Sequence, residues 1–160
     1  MKAISILMGS QSDLETVAEA INVLKEFKVD FDLKILSAHR TPKEVAQYAE
    51  AAPKKGTKVF IAAAGMSAAL AGVVASHTIL PVIGIPIETK NLKGLDSLLS
   101  TVQMPPGIPV ACMSIGRAGA KNAALFALAI LALNNPKISA KLTNYKKKMR
   151  LKIKYTKIKL

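Results

Sequence analysis

A flavodoxin-like three-layer α/β/α sandwich, with a parallel sheet of about five strands, a C-terminal helix and a basic tail, is what three observations predict. Short apolar runs alternate with stretches of helical period, the pattern of parallel strands joined by right-handed helical crossovers. The chain has 160 residues and 51% hydrophobic content, enough for one sizeable core and short for two ordinary domains. No internal repeat and no Gly/Ser-rich linker interrupts the body before the tail.

The elements follow in order. KAISILMG (2–9) is continuously apolar, as a strand buried on both faces requires. After Gly9–Asp13, the stretch Asp13–Phe27 carries Leu14, Val17, Ile21 and Leu24 at helical spacing. FDLKIL (31–36) is the second strand, likewise read as buried on both faces, and Thr41-Pro42 opens the second helix, proline suiting a first turn. KVFIAAAG (58–65), LPVIGIP (80–86) and IPVACMSI (108–115) supply the remaining strands, all read as buried on both faces. Ser67–Ser76 and Gly119–Leu133 read as small-residue, Ala-rich helices that can pack closely on a sheet or a neighbouring subunit. Residues 1–136 then form the α/β domain, and 137–150 a C-terminal helix packed on a neighbouring subunit. Residues 151–160 form a basic tail. From Leu151 to Tyr155 that tail alternates with strand period, which suits pairing with another chain or disorder.

The formal net charge is +13, unevenly placed. Residues 1–136 hold 13 Lys+Arg against all 10 acidic residues, and residues 137–160 hold 10 Lys+Arg and no acidic residue. A nearly balanced body with a basic extension argues against a nucleic-acid enzyme, leaving only a weak polyanion affinity through the tail. Cys112 is the single cysteine, which excludes an intrachain disulfide and a cysteine-based zinc cluster. Its setting reads as a buried core strand. The first apolar run stops at Gly9, too short for a signal peptide or membrane span, so the expected location is the cytoplasm.

In a doubly wound sheet the ligand crevice lies outside the carboxyl ends of the strands, which directs attention to the loops after strands one, two and three. In the first, Gly9 permits close backbone approach. Ser10 and Ser12 can donate and, with the exposed amides of a helix start, favour an anion such as phosphate. Asp13 can instead accept from ribose hydroxyls, and Ser12 or Asp13 would equally serve as an ordinary helix cap. In the second, Ser37-Ala38-His39-Arg40, a histidine able to give and take a proton near neutral pH stands beside a guanidinium suited to phosphate. A surface histidine with no role fits the same residues. The third, Ala62–Ala69, leaves room and exposed backbone amides around Ala64 and Gly65 for a flat ligand, or serves close helix-to-sheet packing. It offers no acid or base, so proton transfer falls to His39.

The ordered motifs GSQSD, SAHRTP, AAAG, LPVIGIP, GLDSLLSTVQMPPGIPVA and AGAKNAA, across roughly residues 3–145, resemble the class I 5-(carboxyamino)imidazole ribonucleotide mutases, the PurE family of purine synthesis. The resemblance implies an isomerase that moves a carboxyl group from the exocyclic nitrogen to ring carbon 4, with neither metal nor organic cofactor. It implies a catalytic His39, a phosphate-binding Arg40, and substrate contacts from Ser10, Asp13, Ser12, Ser37 and the backbone at Ala64 and Gly65. It also implies a homo-octamer. Two departures stand out: Ala69 replaces a second histidine of many members, with His77 two helical turns on, and the Lys-rich tail resembles nothing in the family core. The rivals are a class II carboxylase using free carbon dioxide, which resembles SAHK where this chain has Arg40, and a non-catalytic flavodoxin-like nucleotide-binding module.

Overall fold

In the computed structural model, which describes residues 2–158, the five apolar runs become five parallel strands: β1 (Ile4–Met8), β2 (Phe31–Ile35), β3 (Val59–Ala64), β4 (Val82–Pro86) and β5 (Ala111–Cys112). Their order is β2-β1-β3-β4-β5, so the chain steps outward from β1 to β2 and then crosses back to build the rest of the sheet. The reversal lies between β1 and β3, where Met8 pairs with Ala63. Loops leaving the sheet there diverge and open a crevice.

Helices α1 (Leu14–Phe27), α2 (Pro42–Ala51), α3 (Leu70–Ser76), α4 (Leu95–Val102) and α5 (Gly116–Ala132) alternate with the strands. Right-handed crossovers place α1 on one face of the sheet and α2, α3 and α4 on the other. On the second face, Val45 and Ala49 of α2 and Leu70, Ala71 and Val74 of α3 pack over Leu7, Phe60 and Ala62. The first helix buries Val17, Ala20, Val23, Leu24 and Phe27, a stripe rotated from the expected one, since Leu14 and Ile21 are only half-buried. In α5 the buried residues Ala120, Ala123, Ala124 and Ala127 keep helical spacing, and Arg117 reaches Glu19 of α1 at 2.7 Å. Small side chains there shorten the distance at which a helix can pack.

One polar set crosses the β2 edge. The Tyr48 hydroxyl donates to Asp32 Oδ2 at 2.8 Å and lies 3.1 Å from Ser5 Oγ, which shares a 2.8 Å hydrogen bond with Thr57. Burial, reinforced by the Asp32 carboxylate, pushes the Tyr48 pKa up to about 12, so the phenol stays protonated and the links persist at ordinary pH.

Several expectations are corrected. Strands β1 and β4 are buried along their whole length and β3 nearly so, but β2 is half-buried to exposed and β5 half-buried, because these two are the sheet's edges. Cys112 is therefore a half-buried edge residue rather than a core one, and burial pushes its thiol pKa up. Helix α3 begins at Leu70 rather than Ser67, α5 begins at Gly116 rather than Gly119, and α4 was not anticipated. Helix α6 spans Pro136–Tyr155, started by Asn135, whose Oδ1 accepts from the amides of Lys137 and Ile138 at 3.1 and 3.2 Å. Residues 151–155 thus continue a helix, and the strand-period reading of them fails. Residues 159 and 160 of the predicted tail lie outside the described residues. The chain divides into two compact units, one ending at Ala127 and the other beginning at Leu128. No helix among the described residues is long and apolar enough to cross a membrane.

Candidate active site

Four loops at the carboxyl ends of β1 to β4 enclose a cavity of about 950 Å³. Its walls include all eight residues singled out from the sequence: Ser10, Ser12, Asp13, Ser37, His39, Arg40, Ala64 and Gly65.

The first loop is organised by a cap. Ser10 is extended and begins a 3-10 turn (Gln11–Asp13). The Ser10 amide donates to Asp13 Oδ2 at 2.9 Å, and the Ser12 amide donates back to Ser10 Oγ at 3.3 Å. Both uses foreseen for these residues, capping and lining a ligand crevice, therefore fall on the same atoms. Asp13 is only 7% exposed. Burial raises its carboxyl pKa above the ordinary value, and the donors at Ser10, Ser12 and Gly9 with the Arg40 charge offset only part of this.

The second loop is braced internally. The Ser37 amide donates to Thr41 Oγ1 at 2.9 Å, and the Arg40 amide donates to Ser37 Oγ at 3.2 Å. Arg40 Nη2 then reaches the Gly9 carbonyl at 2.7 Å, while Nε lies 3.4 Å from Ser37 Oγ. Neutral partners fix the guanidinium between the first two loops without neutralising it, leaving its remaining N–H groups for an anion. His39 is exposed on the same loop. No hydrogen bond among the described residues ties its ring.

The third loop follows β3 with Ala64, Gly65, Met66 and Ser67, and Met66 takes a left-handed backbone conformation (φ 59°). Ala69, at the place of the second histidine, lines the cavity with a methyl group. His77 lies elsewhere: its Nδ1 is 3.0 Å from Glu50 Oε1, and it lines a different cavity of about 700 Å³.

The fourth loop is the part that sequence reasoning missed. Ile87, Glu88, Thr89, Lys90, Asn91 and Asp96 complete the wall. Thr89 Oγ1 donates to Asp96 Oδ1 at 2.8 Å and accepts from the Gly94 amide at 3.2 Å, which closes the loop onto the start of α4. Gly94 has φ 86°, and a side chain there would strike Ile115 and the backbone of Ile87 and Glu88. The signal was available, since the strand-end rule applies to LPVIGIP as well, and the polar run ETKN follows it directly.

In chemical terms the cavity joins a guanidinium hydrogen-bonded to the Gly9 carbonyl and Ser37 Oγ, an exposed imidazole, a buried carboxyl with serines, and a wall of small residues and backbone. That set suits a phosphorylated, flat heterocycle undergoing proton transfer.

Comparison with known proteins gives a consistent picture. The family model described as AIR carboxylase matches residues 3–152. The N5-carboxyaminoimidazole ribonucleotide mutase of Pyrococcus abyssi is 53% identical over 150 residues, covering 94% of this chain and 85% of that protein. The mutase of Saccharolobus solfataricus is 51% identical over 150 residues, covering 94% of each. Among solved structures, Treponema denticola PurE superposes with a TM-score of 0.85 at 31% identity, covering 94% of this chain and 92% of that one.

Proposed function

From this chain's place in the AIR carboxylase family, to which it belongs, we infer that its cavity moves a carboxyl group on an aminoimidazole ribonucleotide, with His39 carrying the proton. The activity is that of an isomerase of purine synthesis, converting N5-carboxyaminoimidazole ribonucleotide to 4-carboxy-5-aminoimidazole ribonucleotide.

The steps balance on one histidine. Breaking the carbamate N–C bond frees carbon dioxide, and protonated His39 supplies the proton that the nitrogen takes up. Ring carbon 4 then attacks the trapped carbon dioxide, and neutral His39 removes the proton from that carbon, which restores the starting state. A single group can serve twice because each step needs the form that the other leaves behind. The Ala64–Ala69 wall gives carbon dioxide a nonpolar resting place out of water. Arg40 takes the phosphate, Ser10, Ser12 and Ser37 donate to substrate oxygens, and Asp13 accepts from the ribose hydroxyls. The Ala64 and Gly65 backbone lies along the base.

The observation that carries this reading is the convergence of His39, Arg40 and Asp13 on one cavity at the sheet's reversal point. We further propose that the enzyme works in the cytoplasm as a homo-oligomer, an octamer. Exposed apolar side chains at Leu133, Met149 and Ile153 support association between copies.

His39→Asn tests the proton assignment, since the amide keeps approximate size and polarity but cannot exchange protons near neutral pH. Turnover is expected to fall by about 10²–10⁴-fold or more, with nucleotide affinity by calorimetry nearly unchanged. Retention of more than about a tenth of wild-type turnover would remove His39 as the proton carrier.

A further inference from the structure

Among the side chains lining the cavity, Met66 combines two properties that stability alone does not explain. Its φ of 59° lies in the left-handed region, where an L side chain crowds its own backbone and glycine is the ordinary occupant. Its thioether chain is 68% exposed, so no burial offsets that strain. The other two non-glycine residues of positive φ have local reasons: Lys28 caps the end of α1, and Lys93 precedes Gly94 in the turn into α4. Met66 follows Gly65 directly, at the point where β3 gives way to the turn closed by the Ala69 amide and the Ser67 carbonyl at 2.7 Å.

The remaining apolar walls cannot adapt to a ligand. Leu70 and Ile87 are 1% and 8% exposed and committed to the core, and Ala38, Ala64 and Ala69 have only methyl groups. Met66 is the one long apolar side chain of the cavity that is free to move onto a bound molecule. A thioether on three rotatable bonds is well suited to an aromatic face or edge. Backbone strain held at a ligand site is the pattern expected where the strained residue serves the ligand.

We propose that Met66 is the apolar cover of the nucleobase, folding over the imidazole ring in the bound complex and screening the reacting carbon from water. The proposal rests on the mutase reading and adds to it the residue that holds the ring. It also accounts for a chain that keeps methionine where glycine would relax the loop.

Three variants test it, each assayed for thermal stability and for KM and kcat with the carbamate-bearing ribonucleotide. Met66→Gly relieves the left-handed strain and should raise Tm by about 2–4 °C, while raising KM roughly 10-fold through loss of the ring contact. Met66→Ala keeps a Cβ and the strain, so it should raise KM similarly without the gain in Tm. Met66→Leu restores apolar bulk and should recover most of the affinity. If Met66→Gly or Met66→Ala kept the wild-type KM, or if Met66→Leu were as weak as alanine, the cover role would be overturned. A wild-type protein that failed to convert the substrate would instead overturn the mutase reading, so the two failures are distinguishable.

Discussion

Asp13 is 7% exposed, and burial raises its carboxyl pKa above the ordinary 3.8 despite three hydrogen-bond donors and the Arg40 charge. The folded protein therefore holds this proton more tightly than the unfolded chain does. As pH rises from 3.8 through the raised folded value, the unfolded chain ionises first and stability is lost. Above that value the penalty is complete and constant. Asp13→Asn keeps an acceptor for the Ser10 amide and removes the penalty. The variant should melt higher than wild type at pH 7, with the difference vanishing below about pH 4. Equal melting temperatures at pH 7 would show that the cap and the Arg40 charge already offset the burial. Residues of this kind were legible in the sequence because His, Arg, Asp and Ser stood in loops at strand ends, where the fold places its crevice. Met66 was not legible, since its significance lies in a backbone angle that no side-chain type announces.

The strands illustrate what an apolar run can and cannot convey. The central strands β1, β3 and β4 were readable because burial on both faces leaves no polar alternation. The edges were not, because the run IPVACMSI (108–115) is as apolar as the others although only Ala111 and Cys112 join the ladder. The LKIKY segment fits strand period in isolation, but a helix capped by Asn135 and rich in Lys, Leu, Met and Arg propagates through it at little further cost. Gly84 of β4 shows the packing constraint at its sharpest. A Cβ there would collide with the Thr101 methyl of α4 and crowd Val110 Cγ1 at 3.2 Å and Ala71 at 3.4 Å. Thr101 is held in place by its 2.7 Å hydrogen bond to the Ser97 carbonyl. Gly84→Ala should cost about 1–3 kcal/mol by denaturant unfolding. Adding Thr101→Ser, which deletes the obstructing methyl and keeps the hydroxyl, should recover much of that loss, and no recovery would place the clash elsewhere.

Charge and chemistry are segregated along this chain. Every residue lining the candidate cavity lies between Gly9 and Asp96, whereas 10 of the 23 basic residues fall after Pro136 without a single acidic neighbour. The sequence displayed this division plainly through its charge count. What it concealed was that the basic segment is helical through Tyr155, with Ile153 and Tyr155 79% and 68% exposed. Ending the chain after Arg150 therefore removes the last part of α6 together with Lys152, Lys154, Lys157 and Lys159. A polyanion bound through these lysines releases counterions, so its affinity falls steeply with salt and the slope scales with the number of contacts. The truncated protein should elute from heparin at lower salt and show a shallower salt dependence, while turnover of the ribonucleotide stays within about 2-fold because His39 and Arg40, the groups proposed for proton transfer and phosphate binding, are untouched. Loss of turnover in a folded truncated protein would mean that the end of α6 supports the site from a neighbouring copy. Light scattering on the same sample would then show a smaller assembly.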